Sequence, residues 1–280
     1  ALLADGAAIA DLGPRLFNDG VPDGIETVDC AGLALAPGLI DMHAHLREPG
    51  AEYQETLASA SHAAAAGGIT TVVATPNTEP VIDEVSLVQF VANRARETAI
   101  VTVLPMAAAT RGLRGSEMTE MGLLAEAGAV AFGDGDRPIA DARLMRRALA
   151  YASAFDLLLV QQAEEPSLTR DGVMNEGEVA MRLGLAGMPA AAETIMVERD
   201  LRLVELTGGR WHAAHLSTAE ALQAMRAAKR RGLNVSCGAA PANFALNESA
   251  IGEYRTFAKV SPPLREEADR KALVAGIPDG

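Results

Sequence analysis

Two histidines stand two residues apart in a short apolar run, Gly38-Leu-Ile-Asp-Met-His43-Ala-His45-Leu-Arg47. In a β-strand, side chains two residues apart lie on the same face, so both imidazoles point to one side. Neutral imidazoles are good zinc ligands, and a strand holds two of them without rearrangement of a loop. Because the chain contains only five histidines, His43 and His45 predict half of a metal site rather than two surface residues.

A second pair, His212 and His215, closes another apolar run, but a spacing of three sends the two side chains to different sides. His215 stands at the predicted end of the strand, before Ser217 and Thr218, which have the character of a helix cap. We therefore predict His215, in preference to His212, as a metal ligand. The fifth histidine, His62, lies in an alanine-rich helical segment and is given no functional role.

Polar residues also end other predicted strands. Asp134 closes the run Ala-Val-Ala-Phe-Gly-Asp, where a carboxylate could bridge two cations, although a Gly-Asp turn is an equally good reading. Asn77 follows Pro76 and could hydrogen-bond a small substrate, again with a turn as the alternative. Arg47, two residues beyond His45, is placed to bind a substrate carboxylate with two parallel hydrogen bonds.

The elements that position these residues follow from the alternation of apolar runs with helix-like segments after Gly38. The predicted strands are 39–45, 69–75, 100–106, 129–134, 156–162, 210–215 and 233–238. The predicted helices are 55–67, 84–98, 117–127, 142–153, 190–206 and 218–230. This pattern predicts an α/β fold, a TIM-like (β/α)8 barrel over residues 38–280 in which seven βα units are visible and the eighth strand is missing. Residues 1–37, which are short apolar pieces broken by turn formers, predict a small N-terminal β unit of the sandwich type.

Composition limits the partners and the compartment. The chain has 280 residues, 37 acidic against 24 basic, and a net charge of −13, which argues against nucleic acid and against an anionic membrane surface. No apolar run is long enough for a membrane span, and the N-terminus lacks the basic start of a signal peptide. Cys30 and Cys237 predict free thiols in a reducing cytosol. We expect a cytoplasmic homo-oligomer that acts on a small molecule.

The motifs together resemble the dihydroorotases of the amidohydrolase superfamily, most of all those of the bacterial class I type. The matching segments cover nearly the whole chain and are 38–50, 55–78, 129–134, 212–218, 228–241 and 257–270. The resemblance implies a zinc-dependent cyclic amidohydrolase that uses metal-activated water. It implies the reversible cyclisation of N-carbamoyl-L-aspartate to L-dihydroorotate, a step of de novo pyrimidine biosynthesis.

The resemblance also implies roles for individual residues. It implies that Arg47 and Asn77 bind the substrate carboxylate. The implied metal ligands are His43, His45, Asp134 and His215. Related hydrolases bridge two metals with a carbamylated lysine on strand four, but no lysine precedes Lys229 in this chain, so a bridge there must be a carboxylate.

The chain departs from the family pattern at three places. Gln162 stands where the family has a histidine ligand, so we expect one zinc site, with a second left open. The segment Pro241-Ala-Asn243-Phe244 differs from the family element after the seventh strand. The strand-eight aspartate, the expected general base, would lie beyond Gly280, and we therefore expect the 280 residues to be the larger part of a longer protein.

Two other functions remain open at the level of sequence. One is a catalytically inactive dihydroorotase-like protein that serves as a structural partner of aspartate carbamoyltransferase, which the loss of a ligand at Gln162 favours. The other is a different cyclic-amide hydrolase, which the missing lysine disfavours.

Overall fold

The computed structural model describes residues 1–18 and 20–279. Asp19 and Gly280, which fall within the two predicted domains, lie outside the described residues. The chain divides into two compact units, Ala1–Pro37 and Gly38–Gly280. Among the described residues, no helix is both long and apolar enough to cross a membrane.

The first unit contains one antiparallel hairpin, formed by β1 (Leu2–Asp5) and β2 (Ala8–Leu12). Sequence analysis predicts further short strands over 20–37, but those residues form none. The segment is interrupted by glycines with left-handed backbone, such as Gly24 and Gly32, and its side chains are almost all exposed. Strands need a paired neighbour and a covered face, and this segment has neither within its own unit. The sandwich-type interpretation stays a prediction.

The second unit is built on a parallel sheet with helices between the strands. The sheet strands are β3 (Leu39–Ala44), β4 (Ile69–Ala74), β5 (Thr102–Ala107), β6 (Ala131–Phe132), β7 (Leu158–Gln161), β10 (Arg210–Ala213) and β11 (Val235–Cys237). Their spatial order follows their order along the chain, and every neighbouring pair is parallel. These seven strands match the seven predicted βα units, and residues 38–279 add no eighth strand to the sheet.

The connections supply the remaining elements. The helices are α1 (Leu57–Ala66), α2 (Val85–Thr98), α3 (Met121–Glu126), α4 (Ala142–Ala154), α5 (Pro166–Thr169), α6 (Glu178–Leu183), α7 (Ala191–Thr207), α8 (Ala219–Arg230), α9 (Pro241–Ala245) and α10 (Glu267–Gly276). A small parallel pair, β8 (Met174–Asn175) with β9 (Gly187–Met188), was not predicted from the sequence. Each of these strands is only two residues long, which is too short for a periodic pattern.

Apolar side chains cover both faces of the central strands. On β7, Leu159 belongs to the large cluster under α4 and α7, whereas its neighbour Val160 packs on the opposite face with Met106 and Val73. Parallel strands are normally buried on both faces, which explains their near-continuous apolar sequences. Trp211 of β10, the only tryptophan of the chain, is completely buried in the large cluster.

Candidate functional site

The carboxyl ends of the parallel strands bring the predicted ligands to one edge of the sheet. His45 follows β3 directly, Asp134 stands two residues after β6, and His215 stands two residues after β10. Loops at this edge carry the functional residues in barrels of parallel strands. The rings of His43 and His45 are 5.5 Å apart between centroids, and those of His43 and His215 are 4.6 Å apart. Two distant parts of the sequence therefore meet at this edge.

Burial favours the neutral form of His43 and His215. It lowers the pKa of His43 to about 3, with smaller contributions from His215 and His45, and it also lowers the pKa of His215. Both ring nitrogens of His43 and Nδ1 of His215 are buried without any hydrogen-bond partner among the described residues. A buried polar atom without a partner costs free energy, unless a ligand provides one. Neutral imidazoles with free nitrogens are what a zinc ion requires.

His45 differs from these two rings because its orientation is fixed by hydrogen bonds. Its Nδ1 lies 3.0 Å from Oδ1 of Asn77 and 3.0 Å from Oγ1 of Thr75. An amide oxygen can only accept, so Nδ1 donates to Asn77, and Nε2 is the ring nitrogen left to face a ligand. Ligating histidines are commonly held in this way through the second ring nitrogen.

Asp134 is a buried carboxylate at the same edge. Its Oδ1 accepts a hydrogen bond from the Thr110 amide at 2.9 Å, and its Oδ2 accepts one from the Thr110 hydroxyl. Burial raises the pKa of Asp134 to about 6, against the opposing effect of the hydrogen bonds from Thr110. Gly133, which precedes Asp134, lets the backbone pass close to β7, since a Cβ at that position would lie 2.2 Å from the carbonyl oxygen of Val160.

The donor atoms do not surround one point. Within residues 1–18 and 20–279, no three His, Cys, Asp or Glu side chains are arranged as a formed metal site. The fit of the residues to a metal therefore rests on the chemistry of the donor set, namely the rings of His45 and His215 beside that of His43, with buried nitrogens of His43 and His215 that have no partner.

Other predicted residues have partners of their own. Gln162 is buried and donates to Oγ of Ser261 at 2.7 Å. His212 is also buried, and its Nδ1 lies 2.8 Å from Oγ of Ser236, so it is engaged with the neighbouring strand. His62 is exposed on α1, away from the other four histidines in sequence.

The two predicted substrate residues lie in the loops after β3 and β4. Arg47 is half-buried, and its guanidinium has no hydrogen-bond or ion-pair partner within the described part of the chain. Asn77 has its oxygen committed to His45, while its Nδ2 makes a long contact of 3.4 Å to Asp136. The amide donor of Asn77, rather than its oxygen, is thus the group available to a substrate.

Sequence reasoning missed two groups at this edge. Thr110 holds both oxygens of Asp134, and nothing in its sequence context marks it. Asp41 accepts a hydrogen bond from the His43 amide at 3.0 Å, and its charge raises the pKa of His215, opposite to the effect of burial. Asp41 shares its strand face with His43 by the same two-residue spacing, and that spacing could have identified it.

Comparison with known proteins decides the family. A family model described as Dihydro-orotase-like matches residues 32–221. The chain belongs to the dihydro-orotase-like family. A dihydroorotase of Desulforapulum autotrophicum is 47% identical over 279 residues, which cover 100% of this chain and 65% of the relative. One from Anaplasma phagocytophilum is 44% identical, with 100% and 63% covered. The chain thus spans less than two thirds of the length of these members of the dihydro-orotase-like family.

Solved structures show which fold the chain shares. A D-hydantoinase crystal structure superposes with a TM-score of 0.75 at 23% identity, covering 100% of this chain and 62% of the other. L-Hydantoinase from Arthrobacter aurescens superposes with a TM-score of 0.72 at 21% identity, covering 85% and 54%. At such identities the likeness shows the fold alone. The predicted α/β fold, a TIM-like barrel, is confirmed.

Proposed function

We propose that this protein is a metal-dependent cyclic amidohydrolase, namely a dihydroorotase that interconverts N-carbamoyl-L-aspartate and L-dihydroorotate. The observation that carries the proposal is the pair of adjacent imidazoles, His43 and His215, whose buried nitrogens have no partner. Arg47, whose half-buried guanidinium has no partner among the described residues, follows on the same loop as His45. The names of the relatives at 44–47% identity support the same substrate.

The residues that would hold the metal are His43, His45, Asp134 and His215. A bound zinc ion supplies Lewis acidity and makes water a stronger nucleophile near neutral pH. We propose one zinc per chain, because Gln162 is not a good ligand and its amide is already engaged by Ser261.

The chain's own side chains bind and orient the substrate. Arg47 can pair with a carboxylate through two parallel N–H groups, and this bidentate contact fixes both distance and orientation. The Asn77 amide donates to the same anion, while its oxygen keeps the His45 ring in place. Binding energy at the carboxylate thereby positions the amide that reacts. We assign no general base among the described residues.

The second reading, an inactive structural partner, requires a metal site that has lost its ligands. Against it stand the adjacent rings of His43, His45 and His215 and the buried nitrogens without partners on His43 and His215. A homo-oligomer, a cytoplasmic location and association with aspartate carbamoyltransferase stay predictions.

Metal analysis tests the proposal directly. Protein dialysed against zinc and then against buffer should retain about one zinc per chain, and His43→Ala should retain almost none because it removes the central ligand. His62→Ala, which changes an exposed histidine, is the matched control and should retain the wild-type amount. Zinc below about a tenth per chain in the wild-type protein, or no binding of L-dihydroorotate by the loaded protein, would refute the assignment.

A further inference from the structure

Glu193 is a fully buried acid that the proposed chemistry does not use. It lies in the first turn of α7 and is 2% exposed. Its Oε1 accepts hydrogen bonds from the amides of Ser217 and Thr218, both at 3.0 Å, and from the Thr218 hydroxyl at 2.8 Å. Its Oε2 accepts from the amide of Ser217 at 3.0 Å and from its hydroxyl. Every hydrogen bond that this carboxylate accepts comes from Ser217 or Thr218, in the loop between β10 and α8 that also contains His215.

The loop needs these acceptors because it leads into α8. The first amides of a helix have no partner within the helix. The Thr218 hydroxyl accepts from Ala221, and Asp269 of α10 accepts from Ala219 at 2.8 Å. Glu193 accepts hydrogen bonds from the two preceding amides, those of Ser217 and Thr218. Negative charge is favoured at a helix N-terminus. Two other helices thus complete the start of α8.

Arg265 reinforces the same arrangement from a third direction. It is buried, and its Nε donates to the Ser217 hydroxyl at 3.0 Å. Its Nη1 donates to the carbonyl of Met188 at 2.6 Å and to Oδ1 of Asn175 at 2.9 Å. Ser217 is therefore held from both sides, by a carboxylate and by a guanidinium.

His215 depends on its own backbone for orientation more than His45 does. His45 is oriented by Asn77 and Thr75, but Nδ1 of His215 has no partner. The position of the His215 ring beside His43 must therefore come from its backbone and packing. We infer that Glu193 is a positioning residue, whose carboxylate fixes the backbone after His215 and so holds that imidazole for a metal ion. The inference rests on the proposed metal site.

The test compares Glu193→Gln with two controls on the same helix. Gln is nearly isosteric, but its amide nitrogen would face the donors of Ser217 and Thr218 and cannot accept from them. Glu198→Gln changes an exposed acid of α7, and Val204→Ala opens a cavity in the buried face of α7 without touching the loop. Co²⁺ is titrated into each protein at a temperature well below its unfolding, and the affinity is read from the visible absorption of the complex.

We expect Glu193→Gln to bind Co²⁺ about 10- to 100-fold more weakly, as is typical when an outer partner of a ligating histidine is lost. Glu198→Gln and Val204→Ala should keep the wild-type affinity, although the second is less stable. A general loss of stability would instead weaken Glu193→Gln and Val204→Ala alike.

A second readout needs no metal. The ring resonances of His215, assigned with a His215→Asn variant, should shift or broaden in metal-free Glu193→Gln, while those of exposed His62 stay unchanged. Unchanged affinity together with unchanged His215 resonances would overturn the inference. If the wild-type protein binds no Co²⁺, the proposed metal site fails, and the His215 resonances alone decide the role of Glu193. Should Glu193→Gln not fold, Ser217→Ala and Thr218→Val, each of which removes one hydroxyl donor, are judged by the same two readouts.

Discussion

Arg47 combines properties that a purely structural arginine would not need. Its backbone is in the left-handed region, with φ of +63°, where a residue with a Cβ is strained by about 1–2 kcal/mol. Its guanidinium is half-buried and has no partner within residues 1–18 and 20–279. The strained backbone thus presents a charged side chain that no other described residue pairs with. Binding of an anion explains this backbone strain and the missing partner better than packing does.

Arg47→Ala should weaken the binding of L-dihydroorotate by about 30-fold or more, because a charge-assisted hydrogen-bond pair is lost. Calorimetric titration measures the dissociation constant, and the free energy of unfolding should stay within about 1 kcal/mol of wild type. Arg146→Ala, which removes an exposed charge on α4, is the matched control for net charge. Equal affinity of wild type and Arg47→Ala would exclude Arg47 from the binding site.

At the scale of elements, a buried acid ties the Arg47 loop to two helices. Glu48 accepts a hydrogen bond from the Leu57 amide at the start of α1, at 2.8 Å, and from Nε of Arg94 on α2, at 2.7 Å. Gly50 lets the loop close against its neighbour, because its φ is +99° and a Cβ there would lie 2.0 Å from the carbonyl oxygen of Glu79. The loop after β3 is therefore held at Glu48 and at Gly50.

Glu48→Gln should lower the free energy of unfolding by about 1–3 kcal/mol, since a buried charge-assisted acceptor is lost. It should weaken L-dihydroorotate binding less than Arg47→Ala does, because the guanidinium remains. Urea unfolding followed by the fluorescence of buried Trp211 gives the stability. Glu126→Gln, at an exposed position, should leave the free energy of unfolding unchanged. A Glu48→Gln protein as stable as this control would contradict the role of Glu48 in fixing the loop after β3.

The order and kind of the main elements could be predicted from the sequence, because alternation of apolar runs and helix-like segments reports burial directly. The histidines could be predicted as well, since strand spacing fixes the face on which His43 and His45 lie. The residues that hold the site side chains and their loops in place could not be predicted. The partners Thr110 with Asp134, and Glu193 with Ser217, are each 24 residues apart, and such pairs depend on how helices pack. The strands expected over 20–37 fail for the same reason, because a local pattern cannot supply a pairing partner.

At the scale of the whole molecule, the core contains a carboxylate of its own. Asp200 of α7 is completely buried, and its Oδ1 accepts from Nε and Nη2 of Arg199, at 2.9 and 2.7 Å. Its Oδ2 accepts from Gln161 of β7, while Arg199 also donates to the carbonyl of Ile139 at 2.9 Å. This group joins a helix, a strand and a loop of the barrel. Burial raises the pKa of Asp200 to about 6, although Arg199 and Gln161 oppose that effect.

The raised pKa gives the stability a defined pH dependence. The folded state binds the Asp200 proton more tightly than the unfolded state, so this contribution is complete below pH about 4 and is lost as the pH rises through about 6. Asp200→Asn removes it, and the difference in unfolding free energy between wild type and variant should fall by up to about 3 kcal/mol across that window. Urea unfolding by Trp211 fluorescence at a series of pH values measures the difference. Asp171→Asn, at an exposed position, should give curves parallel to wild type. Parallel curves for Asp200→Asn would show that Asp200 does not titrate in this range.

The loop between β10 and α8 has a further consequence for how the protein matures. Its amides are satisfied by Glu193, 24 residues upstream of Ser217, and by Asp269, 50 residues downstream of Ala219. Contacts between distant parts of a chain form late in folding, because closing the intervening loops costs entropy. We therefore expect the segment around His215 to take its final position only once α7 and α10 have both docked. In a partly folded chain His43 of β3 and His45 just after it would already be neighbours, whereas the third imidazole of the proposed metal site would be added last.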